Sequence, residues 1–154
     1  MATSFDDMED FFLAGITDDM YLELSEEDTQ AMLDEILLAA LPSFEFPKQP
    51  NLLDVSVEGR TFLCDLTTEE KMIIRQYMIA EWISFQLATV DNIRQKYSGS
   101  DFKFTSQASH MKQLIALKEE YEGRGFHLQR VYCRREQDDD GNMKSTFSHI
   151  MEVN

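Results

Sequence analysis

Lysine and arginine are missing from the first 47 of the chain's 154 residues, a stretch that carries 13 carboxylates. Over the whole chain 29 acidic residues face 14 basic ones, for a net charge of −15. General attraction to nucleic acid or to anionic membranes is thereby excluded, because phosphates meet net repulsion. Cysteine is equally scarce. Cys64 and Cys133 stand far apart in no paired motif, which argues against a disulfide framework and points to a reducing compartment. No run of eighteen apolar residues occurs, so no transmembrane helix is expected. The start, Met1-Ala2-Thr3-Ser4-Phe5, lacks the basic and apolar regions of a secretion signal. The length suits one domain that can fold without a metal or disulfide staple.

The motifs of catalysis are also missing. His110, His127 and His149 lie 17 and 22 residues apart, and no pair shares a helix face as metal ligands would. They read as core, cap or surface histidines. Gly123-Arg124-Gly125 lacks the later glycine and the preceding strand of a phosphate loop. Aligned as a calcium loop, Glu136, Asp138 and Asp140 fit ligand positions around Gly141, but the twelfth position is Phe147, which cannot close on the ion. A solvated turn is the better reading. Cys64 and Cys133 have no activating histidine nearby in sequence and read as buried small hydrophobes. Glu69-Glu70 and Glu119-Glu120 sit where helix capping and solvation explain them. No catalytic residue, metal or cofactor is expected, and the chain reads as a non-enzyme.

What is present is a graded charge and a helical pattern. Residues 1–47 carry a net of −13, residues 48–135 a net of +2, and residues 136–154 a net of −4. An acidic N-terminal arm (1–24), a helical core (25–135) and an acidic turn with a C-terminal strand (136–154) follow from this division. The arm also carries Phe5, Phe11, Phe12 and Leu13, too many apolar anchors for a free tail, and is expected to dock on a neighbouring chain.

The pattern predicts a mainly α fold, a helical bundle around a long central helix. Residues 4–13 form a short amphipathic helix capped by Ser4 and ended by Gly15. Ser25 opens a second helix with the stripe Met32, Leu33, Ile36, Leu37, Ala40. Pro42, Pro47 and Pro50, all three prolines of the chain, then mark an extended connector. Residues 52–64 fit a short hairpin around Glu58-Gly59. Thr67-Thr68-Glu69-Glu70 is a capping box for a helix over about 67–98, roughly 48 Å long. Its apolar residues, Ile73 through Ile93 with Trp82 and Phe85 among them, cover much more than one stripe. That helix is either central to the fold or faces another subunit with Trp82 or Phe85. Phe102 and Phe104 form an exposed aromatic turn, and Thr105 or Ser106 caps the next helix, which Gly123 and Gly125 interrupt. Residues 126–135 fit a strand by alternation, although the stripe Leu117, Tyr121, Leu128, Val131 favours a second helical segment after a kink. A short C-terminal hairpin or strand follows the turn at Gln137–Asn142. The basic residues Arg124, Arg130, Arg134 and Arg135 lie among Phe126, His127 and Tyr132. They read as a docking face for an acidic arm, because a guanidinium fork pairs with carboxylates.

Several segments together resemble a known family. They are Leu66-Thr67-Thr68-Glu69-Glu70, Glu81-Trp82, Lys96-Tyr97-Ser98-Gly99-Ser100-Asp101-Phe102-Lys103-Phe104-Thr105-Ser106-Gln107-Ala108, and Phe126-His127-Leu128-Gln129-Arg130-Val131-Tyr132. Glu23-Leu24-Ser25, Phe44-Glu45-Phe46-Pro47 and Asp138-Asp139-Asp140-Gly141 extend the likeness. The family is that of small neck proteins of tailed bacteriophages of Gram-positive bacteria, the head-to-tail adaptor or connector class. The resemblance implies a homo-oligomeric ring, a dodecamer in the usual case, between the portal protein and the next neck or tail protein. Its place would be the virion neck, reached from the host cytoplasm during assembly, with DNA only a repelled, passing polymer and no membrane contact. It also implies a continuous final helix, from which Gly123 and Gly125 depart. The rival reading is an acidic DNA mimic that occupies a basic groove on a host or defence protein.

Overall fold

The computed structural model describes residues 2–16, 26–96, 104–137 and 143–145. The fold is mainly α. Its four described helices are α1 (Phe5–Leu13), α2 (Glu26–Ala40), α3 (Thr68–Lys96) and α4 (Phe104–Cys133). Two small antiparallel hairpins accompany them, β1 (Val55–Ser56) with β2 (Thr61–Phe62) and β3 (Arg135–Gln137) with β4 (Met143–Ser145). The helix starts are written locally. Ser4 Oγ accepts from Asp7 N at 3.1 Å to open α1. At α3 the capping box is reciprocal: Glu70 N donates to Thr67 Oγ1 at 3.3 Å and Thr67 N to Glu70 Oε2 at 2.7 Å. Pro42 ends α2 in a single 3-10 turn, Leu41–Ser43.

The central position of α3 accounts for most of its apolar collar. It packs on α4, on α2 and on α1. Ile73, Ile74, Met78 and Ile83 are fully covered within the chain. Among the described side chains of the collar, Phe85 is 43% exposed, and Trp82 and Leu87 are half-buried.

The described part of the N-terminal arm, residues 2–16, does not stand outside the core, contrary to the sequence reading. Phe5, Met8 and Phe12 are fully buried against the same chain's α2, α3 and hairpin, and Phe11 and Leu13 pack on them half-buried. The backbone explains the docking. Phe62 N donates to Thr3 O at 2.8 Å and Phe5 N to Arg60 O at 2.9 Å, so residues 3–5 lie along the β1–β2 hairpin. An amphipathic helix buries its stripe on whichever apolar surface is nearest, and here its own chain supplies one. Residues 17–25, with the Ser25 cap, lie outside the described residues, as do 97–103 and 138–142.

The last helix is continuous through both glycines, which corrects the expected interruption, and it starts at Phe104 rather than at a Thr105 or Ser106 cap. Gly125 has a packing reason. A Cβ there would stand 2.8 Å from Cζ of Tyr77, so glycine lets α4 approach α3. A Cβ on Gly123 would meet nothing within 4 Å beyond its own turn of helix. Gly123→Ala is therefore expected to stabilise by about 0.5–1 kcal/mol through helix propensity. Gly125→Ala is expected to cost about 1–3 kcal/mol through overpacking against Tyr77. Thermal unfolding of the two variants should move in opposite directions; equal shifts would overturn the assignment of Gly125 as a packing glycine.

Candidate functional site

Among the described residues, the arm's carboxylates gather on Arg60, while Arg75 reaches the same arm by covering the Phe11 ring at 5.2 Å. Sequence reading had assigned the carboxylates to Arg124, Arg130, Arg134 and Arg135. Arg60 Nη2 contacts both Glu9 oxygens at 2.9 and 3.0 Å, Nε contacts both Asp34 oxygens at 3.1 Å, and Nη1 bonds Asp6. Three carboxylates from α1 and α2 thus converge on one guanidinium at the hairpin turn. Arg60 holds a left-handed backbone, φ 47°, to present its fork there. The hydrogen bonds it donates, to Asp34 first and then to Asp6 and Glu9, push its pKa above the ordinary arginine value. Glu9 goes up as well, to about 7, because burial and the adjoining Asp34 carboxylate disfavour a second anion more than Arg60 favours it.

The four arginines have other contacts. Arg124 pairs with Glu120 one turn away and lies over the Tyr121 ring. Arg135 Nη1 reaches Glu69 Oε1 at 3.3 Å. Arg130 covers the ring of Phe126 at 5.9 Å. Arg134 is exposed and is not without a partner.

A second polar cluster joins α4 to the proline connector. Gln129, 1% exposed, accepts from Glu45 N at 2.9 Å and Phe46 N at 3.3 Å, and donates to Ser43 O at 2.9 Å and to Tyr77 Oη. Tyr132 Oη donates to Glu70 Oε1 at 2.6 Å and accepts from Lys48 N at 3.3 Å. Burial, and then the Glu70 hydrogen bond, hold the Tyr132 phenol well above its usual range, so it stays a donor. Burial also raises Tyr77. These hydrogen bonds tie α4 to the connector and to α3.

Metal ligation finds no geometry among the described residues. No three His, Cys, Asp or Glu side chains there converge as metal ligands. Cys64 Sγ donates to Asn51 O at 3.4 Å and Cys133 Sγ to Phe46 O at 3.5 Å. Cys133 is exposed and Cys64 half-exposed, so neither is the buried hydrophobe expected from sequence. His110 and His127 are exposed, and His149 lies outside the described residues. No described helix is long and apolar enough to cross a membrane.

Open apolar surface is what the helices leave over. Phe85 (43%), Ile115 (45%), Leu117 (38%) and Phe126 (48%) are exposed on α3 and α4. Phe46 is exposed beside Cys133 at the C-terminal end of α4. A groove of about 180 Å³ between α2 and α3 is lined by Met32, Glu35, Ile36, Ala39, Glu81 and Phe85. A shallower one of about 540 Å³ runs along α4 past Gln76, Arg124 and His127. A third, of about 510 Å³, lies between Lys48, Glu69 and Arg135.

Of the residues expected to meet a partner, Phe85, Arg130, Arg134 and Arg135 are exposed and Trp82 is half-buried. Phe5 and Phe12 are spent in the core, with Phe11 and Leu13 against it. Phe102 lies outside the described residues, as does the side chain of Phe104. Sequence reading passed over Arg60 and Gln129. A lone basic residue after an acidic stretch was the available signal for Arg60; Gln129 had none. Compared with known proteins, the chain matches no family model, no curated protein and no solved structure.

Proposed function

We propose that this chain is a structural subunit of a tailed-bacteriophage neck, a head-to-tail connector that assembles with copies of itself and sits between the portal and the next neck or tail protein. The observation that carries the reading is the apolar surface left open on α3 and α4 after the lone chain has completed its core, with Phe85, Ile115 and Phe126 each more than two-fifths exposed. Helices of 29 and 30 residues, each about 45 Å long, give such a subunit long flanks for side-by-side packing. The resemblance of residues 66–70, 96–108 and 126–132 to connector proteins supplies the place in the particle. A net charge of −15 suits a conduit wall, because a wall that repels phosphates lets DNA slide past it. The DNA-mimic reading needs unpaired carboxylates spread over one face, and it is weakened by Asp6, Glu9 and Asp34 being drawn together on Arg60.

The test is location and mass. Antibody labelling of purified virions is expected to decorate the head–tail junction, and native mass spectrometry of the protein with its portal is expected to show a multi-copy ring. Virions free of the protein, or a one-to-one complex with a DNA-binding enzyme, would overturn the reading.

A further inference from the structure

The groove between α2 and α3 is small, and its lining mixes apolar and acidic side chains. Met32, Ile36, Ala39 and Phe85 give the apolar surface, and Glu35 and Glu81 are its charged residues. Its volume of about 180 Å³ lies below the roughly 300–1,000 Å³ of small-molecule sites and suits a single large side chain. Neither glutamate has a hydrogen-bond or ion-pair partner among the described residues, although Glu81 is half-buried. An unpaired carboxylate beside apolar surface favours an arriving cation.

The complement to that groove lies on the same chain. Phe126 projects from α4 with 48% of its surface exposed and the Arg130 guanidinium 5.9 Å from its ring centroid. Arg130 has no carboxylate partner among the described residues. Among the described residues the other aromatic–cation pairs are engaged within the chain: Arg60 and Phe5 in the arm cluster, half-buried Arg75 over Phe11 against the core, Arg124 by Glu120, Lys48 over the buried Tyr132. Phe126 does not line the α2–α3 groove of its own chain.

We propose that the α2–α3 groove receives the Phe126–Arg130 knob of a second copy of this chain. The Phe126 ring enters between Ala39 and Phe85, where aromatic edges and faces can pack, and Arg130 spans Glu35 and Glu81. Ring and guanidinium enter together because the cation already rides on the aromatic face. Knob and groove belong to different surfaces, so one such contact per interface propagates head to tail and closes into a ring when the rotation allows. The proposal rests on the connector reading in requiring self-assembly, and it names the contact that makes it.

The experiment is native mass spectrometry with sedimentation on the full chain, helicity being checked for every variant by circular dichroism. Wild-type protein is expected to self-associate more weakly as salt rises. Arg130→Glu and Glu81→Lys are each expected to weaken association at least about tenfold, and the double exchange to restore most of it. Ala39→Trp, which fills the groove from an exposed position without touching charge, is expected to abolish association by itself. A wild type that stays monomeric at high concentration, single exchanges without effect, or a double exchange that restores nothing each overturn this contact. The connector reading falls separately, on virions that lack the protein, so the two failures are distinguishable.

Discussion

Replacing Gln129 with leucine is expected to destabilise the protein by about 3 kcal/mol, read as a fall of roughly 6–12 °C in the unfolding midpoint for a chain of this size. The side chain is 1% exposed and serves as a four-way joint: two backbone N–H groups, one carbonyl and one phenol meet on its amide. Leucine fills comparable space but leaves Ser43 O and the Tyr77 hydroxyl without their partner. A buried unsatisfied group costs about 1–3 kcal/mol, while the N–H groups of exposed Glu45 and Phe46 can turn to water at lower cost. The connector 43–48 then loses its tie to α4, so amide exchange there is expected to accelerate more than in α3. Gln129→Glu is the second arm: it keeps an acceptor for Glu45 and Phe46 but loses the donor to Ser43 and buries a charge. Unfolding midpoints within about 2 °C of wild type for both variants would show that the joint is not structural.

The arm cluster gives the second large effect, and it depends on pH. Arg60→Asn is expected to cost about 2–3 kcal/mol at pH 8, somewhat less than a fully buried pair because the cluster is partly exposed. Asparagine tolerates the left-handed backbone at this turn, so the loss reports the guanidinium rather than strain. Glu9, with its pKa raised from 4.5 to about 7, binds its proton more tightly folded than unfolded. Stability therefore falls as pH rises from about 4.5 to about 7 and levels off above that. Wild-type protein is expected to melt higher at pH 5 than at pH 8. The loss in Arg60→Asn should shrink at pH 5, where a neutral Glu9 no longer needs a cation. Relief of general acidic repulsion adds to the same trend, and Glu9→Gln separates the two. Its amide can accept from Arg60 and donate to Asp34, so the variant should match or exceed wild type at pH 8 and show a flatter profile. A Glu9→Gln profile as steep as wild type would place the titration elsewhere.

The periodic elements were legible because their causes lie within a few residues of one another. Ser4 with Asp7, Thr67 with Glu70, the stripe Leu33–Ile36–Leu37–Ala40 and the Pro42 stop are statements about neighbours in sequence, and the structure keeps all of them. The same local reasoning misjudged Gly125. A glycine in a helical pattern reads as a break, and only the Tyr77 ring opposite shows why the helix runs through it. The collar on α3 was legible as over-covered but not as to what covers it, since periodicity records how many faces are apolar and not whose surface they meet.

From sequence alone came the helical class, the Ser4 and Thr67 caps, the first hairpin and the acidic-to-neutral charge gradient. Each depends on composition or on spacings shorter than two helical turns. Tertiary structure alone decided that α1 belongs to its own core, that Arg60 rather than the α4 arginines gathers the arm's carboxylates, and that Gln129 ties the connector down. Those pairings join residues 51, 54 and 84 positions apart. A carboxylate specifies that it needs a cation and an apolar stripe that it needs cover. Which cation and which cover follow from how the chain closes on itself, and no local pattern carries that information.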